Sequence, residues 1–192
     1  MSTASQPRRR TRDPEAKQAA ILAAARAVFA EHGFEKATIR EIARRAGVTH
    51  GLVMLHFGSK ERLFLAAVPG PRDLAEAVAG DVDGLPERIA RSYVARMESA
   101  DRADPFVALV RAAAADQEAA KALLRAMREE SVTAYRQVLT DPGVDERVDL
   151  LASLLIGVTM SRYVLADGPL AVMPADRLAR YLTNALGAIL LG

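Results

Sequence analysis

Apolar residues recur at helical spacing along most of the chain, and strand-like alternation is nowhere sustained. Asp13-Pro14-Glu15 is a helix start, with an N-cap residue, a proline at the first helical position and an early acid. The apolar stripe that follows reaches Phe29 and ends before Gly33. Similar stripes mark later helix cores near 74–79, 85–99, 105–115, 118–139, 146–165 and 174–190. Alanine is also abundant, so the pattern predicts an all-α fold of about nine helices.

Two short capped helices follow the first helix. Thr38-Ile39-Arg40-Glu41 matches a capping box, and the helix that it begins closes at Gly47. Thr49 can cap a second short helix that runs to about Phe57, and Ser59 a further one. Two capped helices around a tight turn form a helix-turn-helix pattern, whose second helix can enter the major groove. Helical hairpins with a purely structural role share this pattern.

A resemblance to a known family lies in two segments. One is TIREIARRAGVTHGLVMLHFGSKERLF (Thr38–Phe64), and the other is the preceding AAILAAARAVFAEHGFEKATI with its Gly33-Phe34 corner. Both resemble the DNA-binding domain of TetR/AcrR-type bacterial transcriptional repressors, over residues 15–65. The resemblance implies a three-helix head that binds a palindromic operator, and a C-terminal helical domain that dimerises and binds a small-molecule inducer. It therefore implies a homodimeric, cytoplasmic repressor.

The resemblance also implies DNA contacts at the matching positions. Thr38 and Thr49 match helix caps that face the DNA backbone, and residues 50–52 match base-reading positions. His56 and Lys60 match phosphate contacts. Each has a structural alternative: a cap alone, packing beside Phe57 for His56, or a solvated charge for Arg40 and Lys60. The implied DNA-contacting residues are Thr38, Arg40, Thr49, His50, Gly51, Leu52, Leu55, His56 and Lys60.

The chain departs from the family pattern in three places. Met54 replaces the usual tyrosine, which removes a hydroxyl that contacts a phosphate. Leu52 and Leu55 replace residues that are more often polar, and apolar groups can pack only on thymine methyls. Pro69-Gly70-Pro71 interrupts the chain where the fourth helix often continues.

Charge divides the chain unevenly. Residues 1–62 hold twelve Lys and Arg against six Asp and Glu, whereas residues 63–192 hold fourteen against eighteen. The basic first part therefore either binds a polyanion or is a solvated basic tail. Arg8, Arg9 and Arg10 lie in an arm that could contact phosphates or the minor groove, or attract DNA without fixed structure. We predict a disordered arm (1–12), a helix-turn-helix domain (13–68) and a helical domain (72–192).

Segment Val148–Leu165 is apolar on nearly all sides and must be covered all round. With the last helix it could form a four-helix bundle across a two-fold axis, or the core of a monomer. The predicted dimer interface comprises Leu151, Leu155, Val158, Arg162, Leu178, Tyr181, Leu182, Ala185 and Ile189.

We also predict an apolar pocket for a hydrophobic or amphipathic ligand, lined by large apolar side chains, some of which carry a polar group. These are Tyr93, Met97, Phe106, Met127, Tyr135, Met160 and Tyr163.

Several classes of function find no support in the sequence. The chain has no cysteine, and it shows no metal-ligand cluster, phosphate-binding glycine loop or nucleophile–base pairing. We therefore predict no metal, no cofactor and no enzymatic activity. No apolar run approaches the ~20 residues of a membrane span, and the N-terminus does not match a secretory signal. A ligand-blind regulator, an activator, and a helical interaction protein without DNA affinity remain as alternatives.

Overall fold

The computed structural model describes residues 14–67, 71–99, 104–115 and 117–192. These residues form eleven α-helices and no strand, which confirms the all-α prediction with more helices than the nine or so expected. The predicted N-cap Asp13, the basic arm with Arg8, Arg9 and Arg10, and the Pro69-Gly70 break lie outside the described residues. The helices are α1 (Pro14–Lys36), α2 (Ile39–Arg45), α3 (His50–Phe57), α4 (Lys60–Ala67), α5 (Pro71–Val78), α6 (Leu85–Ser99), α7 (Pro105–Ala114), α8 (Glu118–Tyr135), α9 (Val144–Thr159), α10 (Gly168–Ala171) and α11 (Ala175–Leu190).

Some boundaries differ from the sequence prediction. Gly33 interrupts α1 as predicted, with a non-helical φ of 70° and ψ of 171°, and a short helical segment continues after this kink to Lys36. Pro71 begins α5, a position where its fixed φ suits a helix and its missing N–H costs nothing. The helix expected over 118–139 ends at Tyr135, and the single turn α10 was not foreseen.

The head of the molecule is α1 to α4 around an aromatic cluster. Phe29 and Phe64 meet edge to face at 4.9 Å between ring centroids, and Phe34 lies 5.5 Å from Phe64. Ile42 and Val53 complete this core from the helix-turn-helix. These contacts hold α2 against α1, and α3 against α2 and α4, so that the opposite face of α3 points outward.

The head is joined to the remaining helices, the body, through α1 and α4. Helix α1 packs on α7, and α4 packs on α8. The Arg26 Nε donates to the Ala67 carbonyl at 2.8 Å, which ties α1 to the last residue of α4. Within the body, the most extensive packing is between α6 and α11.

Helix α9 continues without a break into a π-helical segment, Met160–Leu165. By length and composition alone, Val144–Leu165 could cross a membrane, with a mean hydropathy of 1.5 over its most apolar stretch. The sequence prediction that no segment reaches this length is thereby corrected, because Asp149 and Arg162 do not interrupt the helix. Val148 and Leu151 of this helix are buried in the body, as core residues are.

Candidate nucleic-acid interface and body cavity

The helix-turn-helix is built from local hydrogen bonds. Thr38 Oγ1 accepts from the Glu41 N–H at 3.2 Å, and Thr49 Oγ1 accepts from the Leu52 N–H at 3.2 Å, so both predicted caps form. Between them Gly47 adopts φ 65°, a conformation in which a side chain would be strained. Only the threonine half of the predicted capping box is present, because the Glu41 carboxylate binds arginines instead.

A charge network fixes α2 to α1. Glu41 accepts from Arg44 at 2.6 Å and from Arg45 at 2.8 Å, and these bonds lower the pKa of its carboxyl to about 2. Arg45 also forms a two-pronged pair with Glu31 on α1, at 2.6 and 2.7 Å. Planar, bidentate arginine pairs set orientation as well as energy. Arg40 and Arg44 remain exposed on the outside of α2.

Helix α3 turns Val53 and Phe57 into the head and leaves its other face open. Leu55 is 80% exposed, which is unusual for a large apolar side chain. His50, Gly51 and His56 are exposed beside it. Leu52 and Met54 are half-buried. The outer surface of α3 is therefore apolar at its centre and flanked by histidines.

Gly51 has no structural role that the fold reveals. It lies in the first turn of α3, outside the left-handed range of φ, and a Cβ added there would meet no atom within 4 Å. A glycine in a helix interior destabilises the helix relative to alanine. The fold of the chain therefore does not require a glycine at this position.

Lys60 does not stand free at the start of α4. Its Nζ donates to the Glu35 carbonyl at 3.1 Å and lies 4.4 Å from the centroid of the Phe34 ring. The ammonium thus binds the C-terminal end of α1, where carbonyls attract a cation. This bond uses one of the three N–H donors of the ammonium.

Most residues of the predicted dimer interface are buried or half-buried within the single chain that the structure describes. Leu151, Val158, Leu178 and Leu182 are buried inside a single chain, because α9 and α11 pack on each other and α11 packs on α6. Leu155, Ala185 and Ile189 are half-buried. Of the predicted set only Tyr181 is exposed, at 54%. The exposed residues of these two helices include Leu150, Ser153, Gly157, Arg177, Arg180, Tyr181, Asn184 and Ala188.

Arg162, also predicted at the interface, is itself buried and forms a cluster with the exposed Glu98 and the half-buried Tyr163. Its guanidinium donates to Glu98 Oε1 at 2.9 Å and to the Leu170 carbonyl at 2.6 Å. The Tyr163 hydroxyl donates to the same Glu98 oxygen at 2.7 Å. Burial alone would raise the pKa of Glu98, but the bonds from Tyr163 and Arg162 outweigh it and lower that pKa. The cluster holds the π-helical segment after α9 against α6.

A cavity of about 180 Å³ lies in the body, between α5, α6, α7, α8 and α9. Four of the residues predicted for a ligand pocket, Tyr93, Phe106, Met127 and Tyr135, line it. Met97, Met160 and Tyr163 do not line it. Met97 is buried in the core, and Tyr163 lies in the Arg162 cluster.

Sequence reasoning missed other residues of the cavity. Leu151 and Leu155, predicted to face a partner chain, line this cavity instead. Ile89 and Arg96 were also missed. They share one face of α6 with Tyr93, at spacings of four and three residues, and that pattern was available as a signal. Among the residues that the structure describes, no group of three His, Asp or Glu side chains could hold a metal ion.

Comparison with known proteins assigns both parts of the chain. Residues 21–67 match the family described as bacterial regulatory proteins of the tetR family. Residues 83–190, more than half of the chain, match the C-terminal domain described as tetracyclin repressor-like. The chain belongs to the TetR family.

Individual relatives agree with the family. A TetR-family regulator from Streptomyces coelicolor is 32% identical, with a TM-score of 0.68 over 97% of this chain and 100% of that chain. The transcriptional repressor AcnR of Corynebacterium diphtheriae is 43% identical over 82 residues, 42% of each chain. The match thus spans about two fifths of that curated relative. The SmeT–triclosan complex shares the TetR fold at 21% identity, with a TM-score of 0.61 over 90% of each chain.

Proposed function

We propose that this TetR-family protein is a DNA-binding transcriptional repressor of the bacterial cytoplasm, without enzymatic activity. It binds a palindromic operator as a homodimer and is released by a small inducer. The observation that carries this proposal is the open outer face of α3, presented by a capped helix-turn-helix in a family whose relatives are named repressors. We assign residues 13–68 to DNA binding and 72–192 to dimerisation and inducer binding.

Within the head, α3 faces the base edges and its surroundings face phosphates. His50, Gly51, Leu52 and Leu55 occupy the open face of α3 and face the bases. The phosphate-facing residues are Thr38, Arg40, Thr49, His56 and Lys60. The charges of Arg8, Arg9 and Arg10 add phosphate contacts and raise the salt dependence of binding. Two such heads related by a two-fold axis place their half-sites about 34 Å apart.

The dimer in this proposal uses the outer strip of α9 and the exposed side of α11. Leu150, Ser153 and Gly157 recur at helical spacing on α9, and Tyr181 and Asn184 lie on α11. The small residues Ser153 and Gly157 allow the backbone of a partner helix to approach α9 closely. Because the larger apolar residues of both helices are buried within the chain, they support this surface from beneath.

The inducer in this proposal occupies the body cavity. Phe106 lines the cavity from α7, and α7 packs on α1 of the head. An inducer releases DNA only if it binds the DNA-incompetent arrangement more tightly. DNA must then weaken inducer binding by the same factor.

The proposal is tested by selecting bound sequences from a random DNA library with the purified full-length protein at moderate salt. We expect a palindrome whose half-sites are about one helical turn apart. Recovery of no consensus at any salt concentration would overturn the proposed function.

Replacing Gly51 with alanine should stabilise the protein and weaken operator binding. The added methyl should stabilise the protein by about 0.4–1 kcal/mol, because alanine has less conformational freedom than glycine in the unfolded chain and its Cβ meets no atom within 4 Å here. Against closely approaching DNA, the same methyl should cost about 1–3 kcal/mol of binding, as overpacked contacts do. Chemical denaturation and operator titration measure the two effects. A variant that gains both stability and affinity would show that Gly51 does not face DNA.

Leu55 should make thymine methyl groups part of the operator. Helix α3 has none of the Arg, Lys, Asn or Gln side chains that read guanine or adenine bidentately. An exposed leucine can recognise the 5-methyl of thymine, and each lost methyl contact is worth about 0.8 kcal/mol, or roughly fourfold in affinity.

The test replaces each operator thymine with uracil, which removes only the methyl group. We expect weaker binding at particular half-site positions, and no such difference for the variant L55A. Uracil outside the half-sites is the control. Equal affinity for all uracil-substituted operators would contradict this role for Leu55.

A further inference from the structure

The hydroxyl of Tyr135, a buried residue that lines the cavity, has no hydrogen-bond partner among the described residues. The residue is 1% exposed, ends α8 and lines the cavity. Burial raises the pKa of its phenol, so the group remains protonated and able to donate. The other lining tyrosine is engaged: the Tyr93 hydroxyl bonds to Thr159 Oγ1 at 2.8 Å. Ser131 Oγ likewise donates to the Met127 carbonyl at 2.9 Å.

The charges that border the cavity do not favour an ionic ligand. Arg128 is paired with Asp149 at 3.1 Å, and Arg96 lies 3.7 Å from Asp104. Both cations therefore have their own carboxylates. Glu130 is the remaining charged lining residue, and it would repel an anion. A neutral ligand avoids the cost of burying an unpaired charge.

The size and surface of the cavity restrict the ligand further. A cavity of about 150 Å³ lined by aliphatic and aromatic side chains is enough to bind benzene. The 180 Å³ observed here leaves room for one ring and a short substituent. Its walls include Ile89, Leu124, Leu151 and Ile156, and the ring of Phe106 offers an aromatic contact.

We propose that the cavity binds a neutral molecule with a single aromatic ring and one hydrogen-bond-accepting oxygen, and that the Tyr135 hydroxyl donates to this oxygen. The proposal deepens the inducer site and rests on the proposed function. It selects a chemical class: small aryl ketones and aldehydes fit it, whereas aryl carboxylates, two-ring arenes and arenes without oxygen do not.

The test is isothermal titration of the full-length protein, without DNA, with four probes. Acetophenone is the expected ligand, ethylbenzene lacks the oxygen, benzoate is charged, and 2-acetylnaphthalene has a second ring. Acetophenone should bind about three- to tenfold more tightly than ethylbenzene, the usual net effect of one hydrogen bond. Benzoate and 2-acetylnaphthalene should bind more weakly than acetophenone.

The variant Y135F keeps the ring and removes the donor. It should reduce the affinity for acetophenone to that for ethylbenzene and leave ethylbenzene binding unchanged. The matched control is Y163F, the same change outside the cavity, which should preserve the preference for acetophenone. If Y135F does not fold, the affinities of the natural protein for the four probes still test the proposed class of ligand.

Tighter binding of benzoate or 2-acetylnaphthalene, no acetophenone binding, or an unchanged preference in Y135F would overturn the inference. Failure of the proposed function gives a different result. A protein that selects an operator but binds no acetophenone remains a regulator with a different ligand. A protein that binds acetophenone through Tyr135 but selects no operator retains the ligand site and loses the proposed function.

Discussion

The variant G157R should convert the proposed dimer to monomers and weaken binding to a two-half-site operator by about 10²–10⁴-fold, the usual gain from linking two binding units. Gly157 is exposed on α9, and a Cβ there would meet no atom of its own chain within 4 Å. The subunit should therefore fold normally. A long cation at this position prevents the close approach of a partner helix and is costly to bury.

Light scattering after size exclusion measures the mass, and titration of full and half operators measures the affinity. The matched control is A122R, which places the same charge at an exposed position of α8, away from the proposed interface. We expect A122R to remain dimeric with unchanged operator affinity. A G157R protein that is still a dimer would show that another surface joins the subunits.

The variant F29A should lower the free energy of unfolding by about 3–5 kcal/mol, the usual cost of truncating a buried phenylalanine. Phe29 is fully buried, and its ring contacts those of Phe34 and Phe64. It therefore links α1 to α4 and supports α2 and α3. Operator binding should be lost with the head. Denaturant titration followed by circular dichroism, with operator titration, measures both effects.

The control L55A makes a comparable truncation at a side chain that is 80% exposed. We expect it to change stability by less than about 0.5 kcal/mol and to affect only operator preference. The pair of variants separates support of the head from contact with DNA. A loss of less than about 1 kcal/mol for F29A would mean that the aromatic cluster collapses into the space left by the removed ring.

The helix-turn-helix was predictable from the sequence because its determinants are local. A cap such as Thr38 or Thr49 binds an N–H three residues away, and Gly47 sets its own backbone conformation. Such signals do not depend on the rest of the fold. The outward face of α3 followed from the same local pattern, since Val53 and Phe57 are spaced to point inward together.

Lys60 shows where local reasoning stops. Its position at the start of α4 predicts a phosphate contact, but the ammonium also binds Glu35 and the ring of Phe34. Those partners lie 25 and 26 residues earlier in the chain. No local pattern indicates that the kink at Gly33 returns them to this place.

The cavity was predicted only in part, because a cavity-lining residue and a core residue look the same in a sequence. Tyr93 and Met97 lie four residues apart on α6, yet only Tyr93 lines the cavity. The difference depends on what α7 to α9 leave unfilled opposite each side chain. That is a property of packing between helices.

The sequence by itself therefore determined the helical class, the capped helix-turn-helix and the face of α3 that stays open, because helix periodicity, caps and turns act within a few residues. The tertiary structure alone decided which side of α9 is buried. This helix is apolar nearly all round, so its pattern favours no direction. Its packing against α11 and the cavity assigns Leu151 to the inside and leaves Gly157 on the outside.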